Sequence, residues 1–226
     1  MGIQQIRLFE WRGTEVFLHP TFILLPLLIA GPELLSGQFS AASMALSYMA
    51  VIFFCIVLHE FGHIAMAKRL GFQTGDVVLT PLGGLAQINA TDETARDEIL
   101  IAAAGPAVNL VIIALSMGLM TLVPMFLGAS AAPILTGLYA IVLVNTMLAV
   151  FNLIPLFPMD GGRIWRGILR FWMAPAKATR IAVYTGWAIA AVITVLALMI
   201  GNLIIPMIAA FMCFIGYQEL DRVKRG

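Results

Sequence analysis

Apolar residues run along this chain in long unbroken stretches. They show neither the alternation of a half-buried strand nor the narrow stripe of a surface helix. Crossing the hydrocarbon core of a bilayer takes roughly 20 mostly apolar residues. Six stretches approach that length, near 17–35, 43–67, 99–123, 133–155, 181–200 and 202–218, and only Gly201 and Asn202 divide the last two. The pattern predicts an all-α polytopic membrane protein of six transmembrane helices. It forms one membrane domain over 1–226, with a C-terminal helix pair at 181–218 and no room for a separate soluble domain.

Polar and helix-breaking residues punctuate this pattern. Pro20 and Pro26 predict a kink in the first span, and Gly31-Pro32 its end. Gly71 caps the second span. The segment GFQTGDVVLTPLGGLAQINATDE differs from its surroundings. Two short strands turning at Pro81 and Gly83-Gly84 predict a β-hairpin near 75–88. An open strand edge cannot face lipid, so the hairpin belongs at the interface or against a protein-lined cavity. Thr94 and Asp97 predict a capping box before the third span, and Pro106 a bend within it. Pro155 and Pro158 break the fourth span. GGRIWRGILRFW then reads as a basic amphipathic helix on the membrane surface.

Composition agrees, with 61% hydrophobic and 11% charged residues, against about 45–50% and about 25% for soluble domains. Net charge is +1 and uninformative, but its placement is not. Lys and Arg fall at Arg7 and Arg12, Lys68 and Arg69, Arg96, the stretch from Arg163 to Arg180, and Arg222 to Arg225. The alternate connections near 31–42, 124–132 and 200–205 carry none. Basic loops stay inside, which predicts both termini in the cytoplasm of a multi-pass cell-membrane protein. The opening MGIQQIRLFEWRGTE is a polar lead without a cleavable-signal pattern, so the first span is expected to be retained. Cys55 and Cys213 lie in apolar spans as packing residues. The basic residues do not cluster with aromatics, so no nucleic acid is expected as a partner.

Against this background VLHEFGHIAM, positions 57–66, is anomalous. Ionisable groups inside a membrane are costly and mark functional sites. His59 and His63 stand at i and i+4, one turn apart on one helix face. His-Glu-x-x-His on a helix is a zinc arrangement, with Glu60 placed as general base. A hydrogen-bonding role between helices is the plain alternative. A catalytic zinc keeps three protein ligands. Asp160 is the choice for the third, at the break after the fourth span on the cytoplasmic side. An N-cap role competes for its carboxylate, and His19 is the runner-up ligand. A membrane transporter or channel using the same His and Asp residues is the alternative function. It would need polar groups along a whole route across the bilayer, whereas here they gather in the cytoplasmic half.

HEFGH in the second span, GPAVN in the third and NLIPLFPMDGG after the fourth together resemble the site-2 protease family of intramembrane zinc metalloproteases. The resemblance covers most of 15–170, the expected catalytic core. It is to the compact form, without the PDZ or CBS domain that other members carry. It implies one zinc ion per chain, held by His59, His63 and Asp160, with Glu60 as base. It implies hydrolysis of peptide bonds in transmembrane segments of other membrane proteins, at a site open toward the cytoplasm. Asn152 matches a residue that steadies substrate or oxyanion, and Asn109 a supporting one. His19 is left as a gate residue or a helix-end hydrogen bonder. The hairpin would bind an extended substrate by strand addition, placing Gly83, Gly84 and Leu85 along the bound peptide. The oligomeric state is left open.

Overall fold

The computed structural model describes residues 6–11, 13–80, 83–89 and 93–225. The chain divides into two compact units, one of residues 1–91 and 107–148, the other of 92–106 and 149–226. Among the described residues, four helical segments are long and apolar enough to cross a membrane: Phe39–Arg69, Ala95–Asn152, Pro175–Met199 and Ile204–Arg222.

The first unit opens with a sheet that the sequence reading missed. Strands β1 (Ile6–Trp11), β2 (Thr14–Leu18), β3 (Gln73–Thr80) and β4 (Gly83–Asn89) lie in the order β1-β2-β3-β4. β1 and β2 form a hairpin whose turn holds Gly13 at φ +78°, a conformation that favours glycine. β2 then pairs parallel with β3, with Val16 opposite Val77. The expected hairpin is therefore present but extended by two strands. Gly83 and Gly84 lie within β4 rather than in the turn, opposite Thr80 and Leu79. Pro81 falls outside the described residues. Among the described residues, β4 ends the strand order and has a neighbour on one side only.

The sheet packs on helix α2 through Val16, which joins Val57 and Ile64 in a buried cluster flanked by Phe53 and Phe61. The first span is shorter than expected. β2 runs to Leu18, a 3-10 turn covers Pro20–Ile23, and helix α1 covers Leu24–Leu35. Pro26 falls in the first turn of α1, where its missing N–H costs nothing. Gly31-Pro32 does not end α1, which continues to Leu35 with Pro32 inside it.

Helix α2 (Phe39–Arg69) ends as predicted. Gly71 takes φ +87°, its N–H donates to Lys68 O at 3.1 Å, and Phe72 N–H donates to Ala67 O at 3.0 Å. That paired pattern is a Schellman cap. Helix α3 (Ala95–Leu127) and helix α4 (Ala132–Asn152) are joined by a 3-10 turn at Gly128–Ala131. The capping box before α3 is present. Asp97 Oδ2 accepts from the Thr94 N–H and hydroxyl, and Thr94 Oγ1 accepts from the Asp97 N–H. α3 runs through Pro106 without ending.

In the second unit, turns over 153–159 lead into helix α5 (Asp160–Leu169), followed by α6 (Pro175–Met199) and α7 (Ile204–Arg225). Gly201 at φ +72° closes α6, with Asn202 N–H donating to Ala197 O at 2.9 Å. The Asn202 side chain then accepts from the Ile204 and Ile205 N–H groups and opens α7. Trp187 Nε1 donates across the pair to Cys213 O.

The expected amphipathic helix is present as α5, but Arg166 and the following Arg170 pair inside the protein. Gly161, Gly162 and Gly167 are buried in α5, and its arginines turn inward. Arg166 Nε donates to Glu98 Oε1 at 2.5 Å and Arg170 Nη1 to Glu98 Oε2 at 2.6 Å, with Glu98 fully buried at 0% exposure. Removing one member of such a cluster leaves a buried charge and costs about 3–5 kcal/mol. The arginine spacing that reads as a lipid-headgroup face is here an internal ionic clamp.

Candidate metal centre

Helix periodicity brings His59 and His63 together on α2. Both are buried, their rings meet edge to face at 4.8 Å between centroids, and their Nε2 atoms are 3.1 Å apart. The outer nitrogen of His59 is fixed from α3, where Asn109 Oδ1 lies 2.7 Å from His59 Nδ1. A carbonyl oxygen only accepts, so Nδ1 carries the proton and Nε2 keeps its lone pair. Two imidazole nitrogens aimed at one point need a cation between them or a proton on one. This is the donor arrangement that suits zinc, with the orienting hydrogen bond that metal-bound histidines characteristically make. Asn109 is fully buried, and its Nδ2 has no hydrogen-bond partner among the described residues.

Glu60, between the two histidines, is half-buried on the same turn. In the second unit, Asp160 is the first residue of α5 and buried. Met159 takes the N-cap position, so the competing capping role for Asp160 is not the one observed. Its carboxylate stands where a helix concentrates partial positive charge, which favours an anion. The adjoining glycines explain how the turn is built. A Cβ on Gly161 would fall 2.3 Å from Leu153 O, and one on Gly162 2.9 Å from Leu156 C. His59 and His63 offer buried metal-binding donors in the first unit, and Asp160 offers one in the second.

His19 is not in that group. It caps the 3-10 turn at the end of β2, its Nδ1 accepting from the Thr21 N–H and lying 2.7 Å from Thr21 Oγ1. Asn152 is the last residue of α4. Gly83, Gly84 and Leu85 begin β4.

Sequence reasoning missed two polar features. In the first unit, fully buried Asn145 donates from Nδ2 to Cys55 Sγ at 3.1 Å and to Ile141 O at 2.8 Å. Beside it a cavity of about 410 Å³ opens among α2, α3 and α4, lined by Cys55, Leu58, Ser116 and Ile141. In the second unit, the Glu98 cluster extends to Glu219 of α7 through Arg166 Nη1. Burial works against the Arg166 charge, but Glu98 and Glu219 outweigh it and hold the guanidinium above its ordinary value. The available signal was Arg166 and Arg170 at i and i+4, the same spacing that exposed the histidines.

A helix-borne His-Glu-x-x-His donor pair, held within long apolar helices, defines this as a membrane protein of the metallopeptidase type. Residues 47–129 and 117–193 match peptidase family M50, and the chain belongs to that family. The structure resembles the site-2 protease from Methanocaldococcus jannaschii, with a TM-score of 0.65 and 33% identity over 96% of this chain and 95% of that one. A zinc metalloprotease of the same organism is 34% identical over 215 residues. A Synechocystis relative is 31% identical over 185 residues. The chain spans 60% of the length of the first relative and 44% of the second. The comparisons favour the protease reading over the transporter one.

Proposed function

We propose that this chain is an intramembrane zinc endopeptidase that hydrolyses peptide bonds within or near the transmembrane segments of other membrane proteins. The observation that carries the reading is the His59–His63 pair, with His59 oriented by Asn109. Asp160 completes the ligand set. Zinc, when bound, supplies a Lewis acid that polarises the scissile carbonyl and makes a water more acidic. Glu60 takes a proton from the attacking water and hands it to the leaving amine as the C–N bond breaks. Asn109 keeps the His59 proton on Nδ1. Asn152 steadies the substrate or the developing oxyanion.

A helical peptide bond is shielded by its own hydrogen bonds, so the substrate must be extended at the cut. The open side of β4, beginning at Gly83, Gly84 and Leu85, supports strand addition. Support for six spans with both termini in the cytoplasm comes from the distribution of Lys and Arg. It comes also from the separate helices α3, α4, α6 and α7. On this reading the site opens toward the cytoplasm.

The test is cleavage of a model transmembrane substrate by purified protein, comparing wild type with Glu60→Gln and measuring zinc in both. Cleavage by wild type alone, at equal zinc content, supports the assignment. Equal cleavage by both would remove Glu60 from the mechanism, and full zinc without cleavage by wild type would overturn the protease reading.

A further inference from the structure

The residue assigned as third ligand stands at one end of α5, and the other end of that helix is locked by charge. Arg166 lies two turns after Asp160 and donates to Glu98 of α3 and Glu219 of α7 at 2.5 Å each. Its guanidinium also lies 5.3 Å from the centroid of Phe157, in the turn that delivers Asp160. One turn further, Arg170 donates to the second Glu98 oxygen and to the Glu93 carbonyl, both at 2.6 Å. Gly167, between them, is so close to α3 that a Cβ would fall 2.6 Å from Ile99 Cγ1.

The helix is thereby fixed in both rotation and axial position. Close glycine contact sets the distance to α3. Glu98, with each oxygen taken by a different arginine, permits only one rotation of α5 about its axis. A rotation that moved Arg166 off Glu98 would swing the Asp160 carboxylate by the same angle, because ten helical residues turn as one body.

We propose that Glu98 and Arg166 are positioning residues for Asp160, which set the direction of its carboxylate from the far end of α5. The inference rests on Asp160 as a zinc ligand. Neither residue belongs to the candidate metal-binding donors. They act through the helix, as the outer partners of a metal ligand do when they fix its orientation.

The test uses the full-length protein and zinc alone, with affinity read by competition against a chelator, then kcat and KM on a model transmembrane substrate. Glu98→Gln keeps the shape and removes the charge. Arg166→Lys keeps the charge but cannot bridge two carboxylates as the guanidinium fork does. The expected result for each is a loss in zinc affinity of about 10-fold, within the range for orienting partners. kcat should fall and KM stay unchanged. Arg222→Gln removes an exposed partner of the same Glu219 and should match wild type.

Wild-type zinc affinity and kcat in folded Glu98→Gln would overturn the proposal. So would recovery of wild-type zinc affinity and kcat by both variants at a temperature low enough for their zinc-free forms to be fully folded, which marks a purely structural role. If Glu98→Gln does not fold, Arg166→Lys decides. A wild-type chain that neither binds zinc nor cleaves would instead overturn the proposed function itself, and this inference with it.

Discussion

His59 of α2 and Asn109 of α3 are joined through Nδ1 and Oδ1 at 2.7 Å, both side chains buried. The bond settles which imidazole nitrogen carries the proton. It also gives the Asn109 amide oxygen a partner deep in an apolar helix, where an unpaired polar group is expensive. Asn109→Leu should retain the fold but weaken zinc binding by about 10- to 100-fold. Asn109→Asp, which still offers an accepting oxygen, should bind zinc at least as tightly as Asn109→Leu does. Chelator competition on the two purified variants checks the order.

Gly161 admits no side chain. With Leu153 O only 2.3 Å from an added Cβ, Gly161→Ala must push α5 away from the preceding turn. The expected cost is at the top of the usual range of about 1–3 kcal/mol for overpacking, with loss of zinc and of cleavage. Gly31→Ala meets nothing within 4 Å and serves as the matched control. Thermal melting and zinc content of the two variants give the comparison.

Glu93 predicts a pH effect. Burial pushes its carboxyl above the ordinary range, and neighbouring Glu98 adds to this against the pull of Arg163, Arg166 and Arg170. The folded state therefore binds the proton more readily than the unfolded chain does. Stability from this group falls as pH rises from the ordinary carboxylate value through the raised one. Glu93→Gln should lose that fall, gaining on wild type above the window and not below it. Melting temperatures of both proteins across pH 4 to 8 (a span of about four units around typical carboxylate values) check the sign.

The 3-10 turn Gly128–Ala131 between α3 and α4 should lie on the side of the membrane opposite the basic loops. A reporter placed there should read as outside the cytoplasm, and one placed in the 170–174 connection ahead of α6 as inside. A cytoplasmic signal from the first would invert the proposed topology.

Much of this architecture was legible because its determinants are local. His59 and His63 needed only helical spacing. Gly71, the Thr94–Asp97 box and the Gly201–Asn202 turn each closed or opened a helix through bonds spanning a few residues. The unread parts depend on partners far along the chain. β1 and β2 looked like a polar lead because Arg7, Glu10, Arg12 and Glu15 interrupt their apolar residues. Their pairing is completed by β3, some sixty residues later. Arg166 and Arg170 looked like a surface face because Glu98, 68 positions before Arg166, is invisible to any local window. Gly31-Pro32 shows the opposite error. A strong local stop signal was overridden once α1 packed along α2.

The junction at Gly201 and Asn202 has a mechanical meaning. A left-handed glycine and a capping asparagine leave no slack between α6 and α7, and Trp187 pins the two further along. The pair is a single lever with one pivot. Whatever displaces α7 carries α6 with it, and because Glu219 is tied to Arg166, that load is delivered straight to the helix that presents Asp160.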